Sequence, residues 1–245
     1  MRLDVYLHEK NIFQSREKAR TAIKEEAVSV NGKIVTKPAF EVTEEDKIDI
    51  VRETNPFVGR GGLKLKGAID SFGLDLSGVK ALDIGASTGG FTDCLLKNNA
   101  QSVCAVDVGS MQMIECLKND YRVLSLENTD IRDFAVNPKG YGVDYKFDFV
   151  CVDVSFISLT KILPHITGLI EEGADIVCLV KPQFELDKKR VGKNGVIRDS
   201  KVHKKVIEGI SEFVSNTGFK VKGIIDSPIK GGDGNKEFLM LLNMA

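Results

Sequence analysis

A glycine-rich turn between a short apolar strand and a helix constrains the fold of this 245-residue chain more than any other feature. Residues 80–83 predict a buried strand, residues 83–91 are the turn, and a helix is expected from about 90 to 98. Further apolar runs alternate with helical stretches, which predicts an α/β fold with a parallel sheet covered on both faces. The other predicted strands are residues 102–107, 123–126, 147–153, 175–181, 221–225 and 237–242, and the clearest other helices are 158–171 and 200–216.

The residues before about 55 predict a separate, small α+β unit. Ser15 can cap a helix over 16–25. Asn31-Gly32 lies between two short apolar runs and is a strong hairpin signal, and residues 47–51 predict another strand. We therefore expect two domains, residues 1–54 and 61–245, with a linker over residues 55–60.

Composition excludes several classes of protein. Apolar residues make up 42% and charged residues 28% of the chain, as in ordinary globular proteins. No run reaches the roughly 18 apolar residues of a membrane-spanning helix, so no membrane partner is expected. The N-terminus meets Asp4 at once and has no signal-peptide pattern. The cysteines form no CxxC motif and predict free thiols in a reducing cytoplasm. They are Cys94, Cys104, Cys116, Cys151 and Cys178.

Basic residues are concentrated in two segments although the net charge is only −1. Residues 11–40 carry a local charge of +3 and residues 180–206 a local charge of +6. Arg16, Arg20 and Lys24 recur every four residues and share one helix face. Both segments could contact a polyanion such as RNA, and the alternative is that each is an ordinary solvated surface.

The turn predicts a nucleoside ligand without phosphates. It lacks the GxGxxG pattern of dinucleotide enzymes, and Asp83 ends the strand before it. Asp107 ends the next strand, 24 positions later, where it can accept hydrogen bonds from a ribose. Asp130 follows the third strand and could meet an adenine amino group. An acidic crevice repels pyrophosphate and suits S-adenosylmethionine. The alternatives are a nicotinamide cofactor and a turn that only packs a helix on a strand.

Charged residues also stand at the ends of later strands. Asp153 and Lys181 close two apolar strands, and their side chains should face the ligand crevice. A lysine at the end of an apolar run is costly to bury charged and unpaired. Lys64 and Glu237 are two further candidates. Each residue alone is more often structural than catalytic, but together they suggest a Lys-Asp-Lys-Glu site.

These motifs resemble those of the TlyA-type ribosomal RNA methyltransferases, historically called hemolysin A, over essentially the whole chain. The first part is similar to an S4 RNA-binding domain and the second to the FtsJ class of ribose 2′-O-methyltransferases, which has a Rossmann-like fold. The S4 resemblance is carried by residues 2–4, 15–19 and 28–32. The FtsJ resemblance is carried by residues 60–65, 83–91, 106–109, 153–159, 179–185 and 235–238.

The resemblance implies transfer of a methyl group from S-adenosylmethionine to a ribose 2′-hydroxyl, with ribosomal RNA or a ribosomal subunit as partner. The implied catalytic tetrad is Lys64, Asp153, Lys181 and Glu237, with Lys181 as base, Asp153 orienting it and Glu237 holding Lys64 or the ribose. The expected cofactor residues are Asp83, Gly85, Ala86, Ser87, Gly89, Gly90, Phe91, Asp107, Val108, Asp130 and Ile131. The expected RNA-binding residues are Arg16, Lys18, Arg20, Lys24, Lys188, Lys189, Arg190 and Lys193. Asp130 departs from the family pattern, in which we expect asparagine.

Two other functions stay open at this point. One is an S4-type RNA-binding factor without catalysis, and the other is the pore-forming hemolysin suggested by the old family name. The chain begins close to its S4 motif, which resembles the shorter TlyA form and implies a cytidine of large-subunit RNA as target. A cytoplasmic location is expected. Oligomeric state does not follow from the sequence.

Overall fold

The computed structural model describes residues 1–13, 15–24, 26–51, 55–186 and 195–244. The chain divides into two compact units, Met1–Pro56 and Phe57–Ala245. The division falls inside the linker expected at 55–60, because residues 57 and 58 already pack and hydrogen-bond within the second unit.

The first unit packs two helices on a small antiparallel sheet. The helices are α1 (Leu3–Glu9) and α2 (Arg16–Lys24), and the strands are β1 (Val28–Val30), β2 (Lys33–Ile34) and β3 (Ile48–Ile50), in the order β2-β1-β3. Leu3, Leu7 and Ile23 form the centre of its core. Asn31 and Gly32 both have positive φ, as a type I′ hairpin turn requires, so the predicted hairpin is confirmed.

The second unit is a seven-stranded sheet with helices between the strands. The strands are β4 (Lys80–Ile84), β5 (Ser102–Val106), β6 (Val123–Leu126), β7 (Phe147–Val152), β8 (Ile170–Val180), β9 (Phe219–Asp226) and β10 (Phe238–Met244). The helices are α3 (Gly61–Phe72), α4 (Gly90–Lys97), α5 (Glu115–Lys118), α6 (Ile131–Val136), α7 (Leu163–Ile166), α8 (Pro182–Glu185) and α9 (Ser200–Ser215).

The sheet order is β6-β5-β4-β7-β8-β10-β9, and the five strands from β6 to β8 are parallel to their neighbours. β10 runs antiparallel to both β8 and β9. The prediction of a parallel sheet is therefore correct for the first five strands, and β10 is the exception. Alternate residues of each central strand enter two apolar clusters, one on each face, as expected for a sheet covered by helices on both sides.

The predicted helix over residues 158–171 is wrong. A 3₁₀ turn (Leu159–Lys161) and the short α7 replace it, and β8 begins at Ile170. Phe147 pairs with Ile170, and the Phe147 N–H donates to the carbonyl of Leu169. Leu159, Leu163 and Ile166 are buried from the 3₁₀ turn and α7, whereas Ile170 is buried in β8. Apolar periodicity alone does not reveal this change from helix to strand.

α3 and α4 approach each other closely, which positions the start of α3 beside the glycine-rich turn. A Cβ added at Gly90 would lie 3.1 Å from the backbone nitrogen of Gly62 and 3.3 Å from the Cα of Gly61. Three glycines thus allow the two backbones to meet, and α3 carries Lys64 one turn further along.

Candidate active site

A cavity of about 560 Å³ opens where β4, β5 and β7 end. β5 lies on one side of β4 and β7 on the other, so the strand order switches direction at β4. Ligands of doubly wound sheets bind at such a switch point, outside the carboxyl ends of the strands. The expected cofactor residues that line this cavity are Gly85, Ser87, Asp107, Val108, Asp130 and Ile131.

A smaller cavity of about 140 Å³ lies beside it, between the glycine-rich turn and the start of α3. Both cavities are lined by Gly85, Ser87 and Asp153. The expected cofactor residues Ala86, Gly90 and Phe91 line the smaller one, together with Arg60, which was not selected from the sequence. Of the expected cofactor residues, only Asp83 and Gly89 line neither cavity.

Gly85 is required by the backbone geometry of the turn. Its φ is +84°, and an added Cβ would lie 2.4 Å from the carbonyl oxygen of Asp153. Any side chain here would therefore separate the turn after β4 from the segment after β7. The glycine keeps the cavity floor and Asp153 next to each other.

Asp107 organises the turn through both carboxylate oxygens. Oδ2 accepts from the N–H of Ser87 at 2.8 Å, and Oδ1 accepts from the N–H of Gly109 at 2.7 Å. A carboxylate has about four acceptor positions, so two remain for hydroxyls of a ligand. Its place on the cavity wall fits the ribose-accepting role predicted for it.

Asp130 is already engaged by its neighbour. Its carboxylate caps α6 by accepting from the Arg132 N–H and also accepts from Nε and Nη2 of Arg132, at 2.9 and 2.6 Å. The Arg132 guanidinium holds the pKa of Asp130 below its usual range. An adenine amino group would therefore share this carboxylate with Arg132, which also lines the cavity.

Asp83 is fully buried beneath α4. It lies on the sheet face that α4 covers, where Thr92 Oγ1 donates to Oδ2 at 2.6 Å and Cys151 Sγ lies 3.6 Å from Oδ1. Burial raises the pKa of Asp83 to about 7, against the opposing effect of these hydrogen bonds. The Asp83 carboxylate therefore connects β4 to α4 and β7 on the sheet face that α4 covers.

The four residues of the predicted tetrad form two ion pairs. Lys181 Nζ lies 2.6 Å from Oδ1 of Asp153, and Lys64 Nζ lies 2.7 Å from Oε2 of Glu237. All four side chains are at most 18% exposed. Lys181 also donates to Oγ of Ser155 at 2.8 Å, a partner that the sequence did not reveal.

The reversed direction of β10 explains how Glu237 reaches this edge of the sheet. Glu237 immediately precedes β10, and Phe238 pairs with Val180, the residue before Lys181. The beginning of an antiparallel strand thus lies beside the end of a parallel one. Gly231 leaves room for the carboxylate, since an added Cβ would lie 2.6 Å from Oε1 of Glu237.

Phe156 is an exposed aromatic residue on the cavity wall. It is 91% exposed, has a φ of +65°, and its ring lies 4.9 Å from that of Phe184. A bulky residue in the left-handed region is unusual and marks local strain. No sequence pattern predicts this conformation, because only the folded backbone reveals it.

Glu127 fixes the loop on the opposite side of the cavity. Its carboxylate accepts from the N–H groups of Met111, Gln112 and Met113 and pairs with Lys118 at 2.9 Å. The Lys118 ammonium and these N–H groups lower the pKa of Glu127 to about 2. Gln112 from this loop lines the cavity.

In the first unit, three arginines surround one buried carboxylate. Asp4 has no exposed side-chain surface, because Arg2, Arg16 and Arg20 cover it at 2.9, 3.0 and 3.9 Å while remaining about half exposed. The guanidinium of Arg2 and, after it, that of Arg16 lower the pKa of Asp4. The cluster keeps a net charge of +2 at the surface. Arg2 was not predicted.

The other predicted RNA-binding residues are not part of this cluster. Lys18 and Lys24 are exposed on α2. Lys188, Lys189, Arg190 and Lys193 lie outside the described residues. No helix in the described part of the chain is long and apolar enough to cross a membrane. Within the same residues, no three or more His, Cys, Asp or Glu side chains gather as a metal site would need.

The switch-point cavity, the glycine-rich turn and Asp107 place the second unit in the class of Rossmann-like nucleoside-binding domains. Residues 57–244 match the family model described as FtsJ-like methyltransferase, and residues 1–48 match the S4 domain. The chain belongs to the FtsJ-like methyltransferase family and carries an S4 domain at its N-terminus.

Several relatives match nearly the whole chain. It is 41% identical to the putative rRNA methyltransferase YqxC of Bacillus subtilis, over 99% of this chain and 85% of that protein. It is 41% identical to Hemolysin A of Brachyspira hyodysenteriae, over 98% of both. It is 37% identical to the 16S/23S rRNA (cytidine-2′-O)-methyltransferase TlyA of Mycobacterium tuberculosis, over 98% of this chain and 89% of that protein.

A solved structure agrees with this assignment. A putative hemolysin from Streptococcus thermophilus is similar with a TM-score of 0.78 and 40% identity, over 100% of this chain and 88% of that one. The predicted fold class, an α/β methyltransferase fold with an N-terminal S4 domain, is thus confirmed.

Proposed function

We propose that this protein transfers the methyl group of S-adenosylmethionine to the ribose 2′-hydroxyl of a cytidine in ribosomal RNA. The observation that carries the proposal is the pair of buried lysine–carboxylate contacts beside the switch-point cavity, Lys181–Asp153 and Lys64–Glu237. The family membership and the mycobacterial relative's name support the reaction and the nucleotide.

The cavity residues fit S-adenosylmethionine. Asp107 keeps free acceptor positions for the ribose hydroxyls, and the glycine-rich turn lets backbone approach the ligand. Arg60, at the smaller cavity, supplies a cation for the carboxylate of the methionine portion. S-adenosylmethionine supplies an electrophilic methyl group when bound.

The residues of the chain then have to align the 2′-hydroxyl and remove its proton. Lys181 would accept this proton as a neutral amine while the ribose oxygen bonds to the methyl carbon and the methyl–sulfur bond breaks, which would release S-adenosylhomocysteine. Asp153 and Ser155 hold the Lys181 nitrogen in place and stabilise the ammonium that forms. Glu237 holds Lys64 beside the ribose.

Phe156 provides a surface on which the target base can stack. An exposed ring beside the catalytic pair can receive an unstacked base, and such stacking contributes about 1–3 kcal/mol per base. Arg2, Arg16 and Arg20 bind phosphates of the RNA and set its position without reading sequence.

The deciding experiment maps ribose methylation. Free ribosomal RNA and both ribosomal subunits are incubated with the protein and S-adenosylmethionine, and 2′-O-methylcytidine is located by mass spectrometry of RNA fragments. We expect one modified cytidine in large-subunit RNA with the parent protein, and modification at least about 10²-fold slower with Lys181→Ala. If small-subunit RNA is methylated as well, the proposed reaction stands but the expected specificity for large-subunit RNA is refuted.

The two alternative functions predict different results, one in these RNA samples and the other in a liposome assay. A non-catalytic RNA-binding factor binds RNA and leaves every ribose unmodified, even when S-adenosylhomocysteine binding shows an intact cavity. If this protein is instead a pore former, it releases dye from liposomes and methylates no RNA at the same concentrations. Either result would contradict the proposed reaction.

A further inference from the structure

Two segments that carry candidate catalytic residues are linked by their own side chains. Residues 153–159 follow β7 and residues 181–185 follow β8, and these strands are parallel neighbours. The links already described are the Lys181–Asp153 pair, the Lys181–Ser155 hydrogen bond and the ring contact of Phe156 with Phe184. All of them lie at the cavity end of the two segments.

Glu185 adds a second link farther from the cavity. Its Oε2 accepts a short hydrogen bond from Oγ of Ser158, and its Oε1 accepts from the backbone N–H of Leu159 at 2.9 Å. Ser158 Oγ in turn accepts from the N–H of Thr160 and so caps the 3₁₀ turn, which starts at Leu159. One carboxylate therefore joins the end of α8 to the turn that follows Phe156.

The position of Glu185 favours a structural link over direct contact with a ligand. It is absent from the lining of both cavities, and none of the described lysines, arginines or histidines pairs with it. Burial raises the pKa of Glu185, while the bonds from Leu159 and Ser158 oppose this rise. Because helix starts leave N–H groups without partners, a buried acceptor at Leu159 also completes the 3₁₀ turn.

We infer that Glu185 is a positioning residue that holds the Asp153–Phe156 segment against Lys181, so that base and target ribose meet in a reactive geometry. This inference rests on the proposed function. The distance between Asp153 and Lys181 depends on two segments that could otherwise move apart, and misplacing reacting groups by about 1 Å can cost roughly 10²-fold in rate.

The test compares two substitutions at this position. Glu185→Ala removes both acceptors, and we expect kcat to fall about 10–100-fold while affinity for S-adenosylhomocysteine changes less than about twofold. Glu185→Gln keeps an acceptor for the Leu159 N–H and can donate to Ser158 Oγ, so it should recover most of the lost turnover. Glu208→Ala, an exposed glutamate paired with Lys204 on α9, is the matched control and should behave like the parent.

A double variant separates positioning from general damage to the fold. In a Lys181→Ala background, geometry at Lys181 no longer matters, so adding Glu185→Ala should cause little further loss of turnover. Full additivity of the two losses would overturn the inference. So would parental kcat in Glu185→Ala, or an equal loss in Glu185→Ala and Glu185→Gln.

Hydrogen exchange supplies a readout that does not depend on methylation. Amides of residues 158–160 should exchange faster in Glu185→Ala than in the parent, and near the parental rate in Glu185→Gln. If the parent methylates no RNA, the proposed reaction is refuted, but the exchange rates still test whether Glu185 holds the segment at Ser158 and Leu159. If the amides exchange at parental rates in Glu185→Ala, the link itself is refuted.

Discussion

The two domains each contain a fully shielded aspartate, and the two carboxylates have opposite pKa shifts. In the S4 domain, the guanidiniums of Arg2 and Arg16 lower the pKa of Asp4. In the methyltransferase domain, burial raises the pKa of Asp83 to about 7, and its polar neighbours are a hydroxyl and a thiol. Loss of solvent is common to both, so the neighbours decide the charge state.

The cations of the two domains differ in how far they are exposed to solvent. The arginines around Asp4 are 44–51% exposed, whereas Lys64 and Lys181 beside their carboxylates are 11% and 10% exposed. Exposed guanidiniums held by a covered carboxylate suit the binding of an outside polyanion. Buried lysines held by buried carboxylates suit proton transfer from a single substrate group. Pairs of a cation and a carboxylate thus occur in two arrangements in one chain, exposed around Asp4 and buried beside the cavity.

Removing the buried cation should have the largest effect. Lys181→Ala should lower turnover by about 10²–10⁴-fold, or roughly 3–5 kcal/mol, with cofactor affinity retained. Lys181→Arg should also fail, because a guanidinium stays protonated and cannot accept the hydroxyl proton. Single-turnover methyl transfer measures both. Lys222→Ala, at an exposed lysine near Asp175, is the control. Near-normal turnover of the arginine variant would exclude a base role.

The two aspartates should give opposite pH signatures. Asp83 has a raised pKa in the folded protein, so its stabilising contribution is full below about pH 3.9 and is lost as pH rises through about 7. Asp83→Asn should therefore gain stability relative to the parent over this range, by at most about 4 kcal/mol.

Asp4→Asn should show the reverse trend. The pKa of Asp4 is lowered, so its contribution is present above about pH 3.9 and lost on acidification. Urea unfolding of the parent and both variants from pH 2 to 8, followed by circular dichroism, measures the difference. Parallel pH profiles for the two variants would refute the contrast between these residues.

Reversing the exposed cations should change RNA binding without changing chemistry. Arg16, Arg20 and Lys24 replaced together by Glu should weaken RNA binding roughly 100-fold and make its salt dependence shallower, because fewer counterions are released. Affinity for S-adenosylhomocysteine should stay at the parental value. Reversal of three exposed lysines of the methyltransferase domain, Lys139, Lys220 and Lys222, is the control for total charge. Equal losses in both triple variants would show that overall charge, and not α2, governs binding.

Phe156→Ala should have the smallest effect of the four. Losing one stacking surface should raise the KM for RNA about tenfold, consistent with about 1–2 kcal/mol, and leave cofactor affinity unchanged. Tyr121→Ala, at another almost fully exposed aromatic residue, should leave the KM at the parental value. If Phe156→Ala keeps the parental KM for RNA, the Phe156 ring does not contact the RNA.

Much of the fold and the pairing of the candidate site could be predicted from the sequence. Asp107 and Asp153 directly follow β5 and β7, as predicted, and Lys64, Asp153, Lys181 and Glu237 lie as two pairs. Such predictions succeed because parallel strands end at one edge of a sheet, where their terminal residues meet. The roles of the four residues stay predictions.

Other features depend on tertiary geometry that sequence patterns do not encode. Asp83 is a strand residue whose side chain falls on the face under α4, although its place near the strand end suggested a cavity residue. Phe156, Glu127 and Glu185 act through loop conformations and long-range hydrogen bonds. In place of the single helix predicted over 158–171, the chain forms a 3₁₀ turn and the short α7, because β8 already begins at Ile170 and pairs there with β7.

The pairing of Lys64 with Glu237 has a consequence for synthesis of the protein. Translation produces Lys64 early and Glu237 only shortly before the last strand is complete. Until then a lysine destined for the interior has no carboxylate partner, and burying an unpaired ammonium is costly. A nascent chain stopped before residue 237 should therefore keep α3 undocked. Synthesis of Glu237 and β10, and not collapse of the first strands, would be the event that brings Lys64 and its carboxylate partner together.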